Sequence, residues 1–235
     1  MKILLIGATG QLGQTLIKTK PQNIEIIECC RSNLDLSNLK LINDFILSSN
    51  ANFVINSAAY TAVDKAELET KLAYQINAEA PNAISNAVSK IKGSLIHIST
   101  DFVFDGTKNT PYNPKDYVKP LGIYGKSKAK GEEYVLKLKN NYVVRTSWLY
   151  GDFGKNFCLT MLRLHKEKSL AEEPLRVVSD QIGAPTSTYS LSRFCWKIID
   201  SLTKSKIIPS LLHWSDAGVA SWFDFAYAIG EIGVE

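Results

Sequence analysis

Near its start the chain reads Lys2-Ile3-Leu4-Leu5-Ile6-Gly7-Ala8-Thr9-Gly10-Gln11-Leu12-Gly13, an apolar run that passes directly into a glycine loop. Leu12, Leu16 and Ile17 then recur at helical spacing. The order is therefore a strand, a glycine loop and a helix. This order is typical of the first unit of a parallel α/β sheet.

Each glycine of this loop has a separate expected role. Gly7 allows a tight turn, Gly10 lets the backbone approach a phosphate, and Gly13 lets the helix pack close to the strand. A pyrophosphate would meet the free N–H groups and the positive dipole end of the helix. The spacing differs from the Gly-x-Gly-x-x-Gly form, and a glycine triplet alone is often an ordinary loop. Its position after the first strand favours a dinucleotide site.

Bulk properties are those of an ordinary globular protein. The 235 residues are 45% hydrophobic and 21% charged, with a net charge of +4 spread along the chain. The charge pattern gives little support for a nucleic-acid partner, and no apolar run approaches membrane-spanning length. The four cysteines lack metal-ligand spacing, which favours reduced thiols and a cytoplasmic protein.

Apolar runs alternate with helical patterns through the first two-thirds of the chain. This alternation predicts an α/β fold, a Rossmann-type doubly wound parallel sheet. We expect a dinucleotide-binding domain at residues 1–150 and a smaller C-terminal substrate-binding lobe at residues 151–235. The predicted strands are residues 3–6, 24–29, 53–56, 94–99, 142–145 and 175–178. The predicted helices are residues 12–18, 38–47, 73–88, 121–139, 157–168 and 188–201.

Tyr124 and Lys128 are four residues apart in a predicted helix and therefore share one face. A neighbouring ammonium would lower the pKa of the tyrosine, so that the phenol can exchange a proton near neutral pH. Alone the pair is weak, because these two common residues meet at this spacing on many solvated helices.

Several longer motifs resemble the extended short-chain dehydrogenase/reductase superfamily, and within it the dTDP-4-dehydrorhamnose reductase family. Beside the glycine loop and the Tyr-x-x-x-Lys pair, the segments that carry the resemblance are residues 54–67, 98–106, 145–151 and 180–186. Residues 61–67 and 180–186 are the most specific to this family. The resemblance covers nearly the whole chain.

The resemblance implies reduction of a 4-keto deoxysugar nucleotide by hydride from a nicotinamide. Tyr124 would donate the proton, Lys128 would assist it and hold the nicotinamide ribose, and Thr100 would hydrogen-bond the keto oxygen. A turn cap is the alternative role for Thr100, since Ser-Thr-Asp is good capping chemistry.

For the cofactor we expect NADPH, with NADH also allowed. Arg31 follows the second predicted strand, where NAD-specific proteins commonly carry a carboxylate, and a guanidinium suits a 2′-phosphate. The alternative is an ordinary surface arginine. The expected cofactor-binding residues are Gly7, Gly10, Gln11, Leu12, Gly13, Arg31, Asp35, Leu36, Ala59, Tyr60, Thr61, Ile98, Tyr124 and Lys128.

For the substrate, the resemblance implies a dTDP-sugar held mainly after the fourth and fifth strands. Trp148 could equally be a core residue, and Lys65 a solvated one. The resemblance allows a homodimer. The expected substrate-binding residues are Thr100, Asp101, Trp148, Lys65, Asn156, Gln181 and Thr186.

Two departures from the family pattern affect these expectations. Family members continue for several tens of residues past residues 221–226, so we expect an incomplete substrate lobe. Thr15 stands where some relatives carry a glutamate used in metal-linked dimerisation, so we expect no metal there.

Two alternative functions stay open. One is a catalytically impaired dinucleotide-binding regulatory subunit, and the other is a nucleotide-sugar epimerase or dehydratase.

Overall fold

The fold is centred on a six-stranded parallel sheet, and the computed structural model describes residues 1–233. The strands in chain order are β1 Lys2–Ile6, β2 Glu25–Cys29, β3 Phe53–Asn56, β4 Ser94–Thr100, β5 Asn141–Thr146, β6 Leu149–Tyr150, β7 Ile182–Gly183, β8 Thr186–Ser187, β9 Leu211–His213 and β10 Ala220–Ser221. The order across the sheet is β2-β1-β3-β4-β5-β9. The predicted α/β class is confirmed.

Helices cover both faces of this sheet. They are α1 Gln11–Lys18, α2 Leu39–Ser49, α3 Val63–Ala66, α4 Thr70–Tyr74, α5 Ala80–Lys90, α6 Ile123–Leu136, α7 Phe157–Leu170, α8 Thr188–Thr203 and α9 Trp222–Gly233. A π-helical turn at Gln75–Glu79 joins α4 to α5, and a 3₁₀ turn at Asp101–Val103 follows β4. No helix within residues 1–233 is both long and apolar enough to span a bilayer.

The strands are apolar because both faces of the sheet are buried. Leu5 and Ile55 pack on one face with Leu16 of α1 and Leu191 of α8. On the other face, α2, α5 and α6 cover a second core of similar size. The sheet is therefore the middle layer of three.

The chain reverses its direction across the sheet at β1. Strand β1 pairs with β2 on one side and with β3 on the other, and both pairings are parallel. The strand order therefore changes its sense between β1 and β3, and such a switch point leaves a crevice beyond the carboxyl ends of these two strands. The glycine loop and the segment after β3 border this crevice.

The C-terminal segment contributes to both cores and to a smaller one. Strand β9 extends the main sheet beside β5, and α8 packs against α1. A separate cluster between α7 and α9 contains Met161, Ala226 and Ile229. The expected domain boundary between residues 150 and 151 stays a prediction, because the two segments share one sheet.

The predicted strand at residues 175–178 is wrong. These residues form a loop, with the backbone oxygen of Val178 accepting a hydrogen bond from the amide of Phe223 at 3.0 Å. Leu175 and Val177 pack against the α7–α9 cluster instead. Their apolar character therefore reflects burial in the small lobe and not strand pairing.

The predicted helix at residues 73–88 is interrupted by the π-helical turn. Pro81 lies in the first turn of α5 and has no N–H to offer the carbonyl of Asn77 four residues earlier. A Cβ atom at Gly131 of α6 would lie 2.1 Å from that carbonyl oxygen, so α6 passes very close to the turn.

Candidate active site

The glycine loop makes two close backbone approaches that larger residues would prevent. Gly7 has a φ of +87°, and a Cβ atom there would lie 2.8 Å from the amide nitrogen of Ala58 after β3. A Cβ atom at Gly13 would lie 2.1 Å from the carbonyl oxygen of Gly7. The loop itself is closed by the Gly10 amide, which donates to Gly7 at 3.0 Å.

The start of α1 suits a phosphate group. Gly10 is the N-cap residue, its backbone is extended, and neither a side-chain cap nor an acidic residue occupies the first turn of α1. The helix therefore presents free N–H groups and its positive dipole end to the crevice. Gln11 hydrogen-bonds the Leu149 carbonyl through Nε2 at 3.3 Å, and its buried Oε1 finds no partner within residues 1–233. Leu12 is buried in the core.

The loop after β2 places Arg31 at the surface and Leu36 in the core. Asp35 accepts a hydrogen bond from the Ser37 amide at 2.9 Å. This bond lowers the pKa of Asp35, and the Arg31 guanidinium acts in the same direction. Arg31 is thus an exposed cation close to Asp35, and Asp35 itself shapes its own turn.

Asn77 connects the segment after β3 to α6, and sequence reasoning missed it. Its Oδ1 accepts from the Tyr60 amide at 2.8 Å, and its Nδ2 donates to the Tyr60 carbonyl at 3.0 Å. The same Nδ2 lies 3.1 Å from the Ser127 hydroxyl. A polar residue four positions before a proline in an apolar helical pattern was the available signal. Ala59 and Thr61 flank the segment that it fixes.

Lys128 is 2% exposed, and its Nζ donates to the carbonyl of Ile98 on β4 at 2.7 Å. Burial lowers the pKa of Lys128 to about 8, and the Glu132 carboxylate opposes this change. The lysine is therefore anchored beneath the carboxyl end of β4.

Tyr124 differs from the expectation that Lys128 lowers its pKa. Burial raises the pKa of Tyr124 to about 12, a hydrogen bond with Thr100 opposes the rise, and the negative charge of Asp101 adds to it. The phenol ring packs edge-on against Phe102 at 5.5 Å between ring centroids. The lysine directs its ammonium to Ile98, so burial decides the pKa of the tyrosine.

Thr100 caps the turn after β4, the alternative role that its sequence context suggested. Its hydroxyl accepts from the Phe102 amide at 3.2 Å and donates to Asp101 Oδ1 at 3.0 Å. Burial raises the pKa of Asp101, although the Thr100 hydrogen bond opposes that rise. Both side chains lie close enough to Tyr124 to affect the pKa of its phenol.

A buried ion pair holds α6 against the sheet one turn after Lys128. Arg145 Nη2 lies 2.6 Å from Glu132 Oε2, and each side chain is only 4% exposed. The Ser99 hydroxyl donates to the same carboxylate, and Arg145 Nη1 donates to the Pro114 carbonyl at 3.3 Å. A buried pair of this kind requires such additional hydrogen bonds.

Trp148 lies in an aromatic stack at the edge of the small lobe. Its indole is parallel to that of Trp222, with centroids 3.4 Å apart, and its own φ is +45°. A Cβ atom at Gly183 would lie 2.4 Å from the Trp148 ring. This residue therefore connects the end of β5 to the C-terminal helix.

The remaining expected substrate residues lie in separate environments. Asn156 caps α7 by accepting from the Leu159 amide at 3.0 Å, and Thr186 is fully buried in β8. Lys65 in α3 and Gln181 before β7 are both exposed. The structure thus groups Thr100, Asp101 and Tyr124, and the other positions stay predictions.

Thr15 is fully buried, and its hydroxyl donates to the Gln11 carbonyl and contacts Thr188 Oγ1, each at 2.9 Å. It serves the packing of α1 against α8. Within residues 1–233, no group of three His, Cys, Asp or Glu side chains is arranged to hold a metal ion.

A parallel sheet with a glycine loop at its switch point and a Tyr–Lys pair beyond β4 defines a Rossmann-type dinucleotide-binding protein of the short-chain dehydrogenase/reductase class. Comparison with known proteins agrees with this class. The chain belongs to the family described as "RmlD substrate binding domain", which matches residues 1–232.

Several curated relatives are named dTDP-4-dehydrorhamnose reductase. The dTDP-4-dehydrorhamnose reductase of Aggregatibacter actinomycetemcomitans is 38% identical over 232 residues, which cover 97% of this chain and 78% of the relative. A solved dTDP-4-dehydrorhamnose reductase from Clostridium acetobutylicum is 43% identical, with a TM-score of 0.91 over 98% of this chain and 80% of that one. That of Bacillus anthracis, solved in complex with NADP, is 37% identical with a TM-score of 0.89, over 98% of this chain and 80% of that one.

Proposed function

We propose that this protein reduces the 4-keto group of dTDP-4-dehydro-L-rhamnose with NADPH and so forms dTDP-L-rhamnose. The observation that carries the proposal is the grouping of Thr100, Asp101 and Tyr124 at the carboxyl end of β4, with Lys128 anchored to the same strand. The family membership and the names of the relatives support this substrate.

The cofactor site fits a dinucleotide with a 2′-phosphate. The free N–H groups of α1 would hold the pyrophosphate, because the three glycines leave no side chain in its way. Arg31 would pair with the 2′-phosphate, which favours NADPH, with NADH as a weaker alternative. When bound, the nicotinamide supplies the hydride.

Tyr124 would hold the proton that the product requires. With a pKa near 12, its phenol is fully protonated at neutral pH and can donate to the keto oxygen as negative charge develops there. Thr100 would donate a hydrogen bond to the same oxygen by turning its hydroxyl away from Asp101. Lys128 would stabilise the resulting tyrosinate with its positive charge.

The C-terminal segment, residues 151–235, would cover the sugar nucleotide. Trp148, with its ring stacked against Trp222, would offer an aromatic surface beyond the carboxyl end of β5. Lys65 and Asn156 would contact the diphosphate, and Gln181 and Thr186 would shape the far wall.

The test is NADPH oxidation by the purified protein with and without dTDP-4-dehydro-L-rhamnose. Tyr124→Phe should lower kcat by at least about 100-fold, since a general acid contributes at least that factor. Tyr134→Phe removes a hydroxyl from the same helix and should leave kcat unchanged. NADPH binding without any substrate-dependent oxidation would contradict the proposal and favour a dinucleotide-binding regulatory subunit.

A further inference from the structure

The helix that carries Tyr124 has no cap of its own. Gly122 occupies the N-cap position of α6, with φ −97° and ψ 171°, and has no side chain to accept a hydrogen bond. The first turn of α6 contains no acidic residue. The first N–H groups of a helix need a partner from elsewhere in the molecule or from water.

Glu67 supplies this partner from a segment 56 residues earlier. Its Oε1 accepts from the amide of Ile123, the first residue of α6, at 2.7 Å. A Cβ atom at Gly122 would lie 2.8 Å from the same oxygen, so glycine leaves room for the carboxylate. A negative charge at this end of the helix also interacts favourably with the helix dipole.

Tyr124 follows directly after the amide that Glu67 binds. On its other side, Gly125 lies against Phe102, where a Cβ atom would be 2.2 Å from the carbonyl oxygen of Phe102. The Tyr124 backbone is thus held between two contacts that come from different parts of the chain. Loss of either contact would let the first turn of α6 shift and carry the phenol with it.

We propose that Glu67 is a positioning residue for Tyr124, acting as the N-cap of the catalytic helix from outside that helix. The proposal rests on the reductase function proposed above. Glu67 is exposed and follows α3, the short helix that also carries Lys65. Its side chain belongs to none of the cores, so its effect on the phenol is separable from folding.

The experiment compares Glu67→Ala and Glu67→Gln with the parent protein. The alanine variant loses the acceptor and should lower kcat about tenfold, because small misplacements of a catalytic group are costly. The KM for NADPH should stay within about twofold, since the glycine loop is untouched. The glutamine variant keeps an acceptor oxygen and should recover most of kcat.

A matched control and a second measurement complete the test. Glu133 lies on α6, is exposed and, within residues 1–233, pairs only with Lys130 and Lys137, so Glu133→Ala makes the same change of charge and should keep kcat. Backbone amide hydrogen exchange of residues 121–126, measured without substrate, should be faster than in the parent protein only for Glu67→Ala, and not for Glu67→Gln or Glu133→Ala.

Unchanged kcat in Glu67→Ala would overturn the proposal, as would equal losses in the alanine and glutamine variants. A parallel rise in the KM for NADPH would also overturn it, because the effect would then not be confined to Tyr124. A parent protein without turnover would count against the proposed function alone, and the exchange measurement would still decide whether Glu67 holds the first turn.

Discussion

At the scale of single residues, burial acts on Lys128 and Tyr124 in opposite senses. It lowers the pKa of Lys128 to about 8 and raises the pKa of Tyr124 to about 12, because burial favours the neutral form of each side chain. Burial, with the Lys128 charge, also holds the pKa of the neighbouring His97 well below its usual value. At neutral pH the site therefore contains a protonated phenol, a costly buried ammonium and a neutral imidazole.

Lys128→Met should stabilise the protein while lowering its activity. A pKa lowered from 10.5 to about 8 corresponds to roughly 3 kcal/mol of cost for burying the ammonium at neutral pH. Methionine fills similar space without charge, but it leaves the Ile98 carbonyl without the lysine. We therefore expect a gain of about 2 kcal/mol in the free energy of unfolding, measured by urea denaturation at about pH 7.

The gain in the free energy of unfolding of Lys128→Met should decrease as the pH rises. The buried ammonium costs stability fully below about pH 8, and this cost disappears as the pH rises toward 10.5, where the unfolded lysine also loses its proton. The advantage of the methionine variant should therefore shrink between about pH 7 and about pH 9.5. Lys126→Met, an exposed change on the same helix, should give no such trend. An advantage that grows with pH would contradict this account.

The sequence predicts part of the chemistry at this scale. The spacing of Tyr124 and Lys128 was enough to place both on one face of a helix. The direction of the tyrosine pKa was not predictable, because it depends on burial and on the choice of Ile98 as the partner of the lysine. Asn77 and Glu132 were missed because their roles depend on contacts between distant segments.

At the scale of elements, the junction of β1 and α1 depends on Gly13 more than on Gly10 for stability. Gly13→Ala would place a Cβ atom 2.1 Å from a backbone oxygen and should destabilise the fold by about 3 kcal/mol or more. Gly10→Ala would meet the same oxygen at 3.3 Å, at a position where extended backbone suits any residue. It should cost about 1 kcal/mol or less and instead weaken NADPH binding.

Urea denaturation and a fluorescence titration with NADPH separate these two effects. If Gly10→Ala and Gly13→Ala proved equally unstable, the close approach of α1 to the loop would not be the reason for Gly13.

Most elements could be predicted from periodicity, and the exceptions have identifiable causes. The apolar strands and the faces of α1, α2 and α8 follow from their hydrophobic spacing. The π-helical turn near Asn77 was not predicted, because it arises where Pro81 removes one N–H and Gly131 of α6 approaches. Residues 175–178 have strand-like composition, but no strand among residues 1–233 pairs with them.

At the scale of the whole molecule, the C-terminal segment completes the sheet layer of the first 150 residues. Strand β9 pairs with β5, and α8 covers the core around Leu12 and Leu16 of α1. The alternation of strands and helices predicted the sheet, but not that a later strand would return to its edge. Such a return depends on long-range packing, which local patterns do not encode.

Residues 1–150 alone should therefore fail to fold cooperatively. Without α8 the apolar face of α1 would be exposed to water, and the edge of β5 would be unpaired. Urea denaturation followed by circular dichroism should show a broad transition for this fragment and a sharp one for the full chain. A sharp transition for residues 1–150 would show that the first segment is an independent domain.

The parallel indoles of Trp148 and Trp222 give the molecule an optical property of its own. Two such rings with centroids 3.4 Å apart couple their electronic transitions, which shifts their shared absorption relative to that of two separated indoles. One ring follows β5 and the other begins α9, so this shift would be lost if the sheet and the small lobe moved apart. The absorption of the tryptophans therefore reports on the contact between these two parts of the molecule.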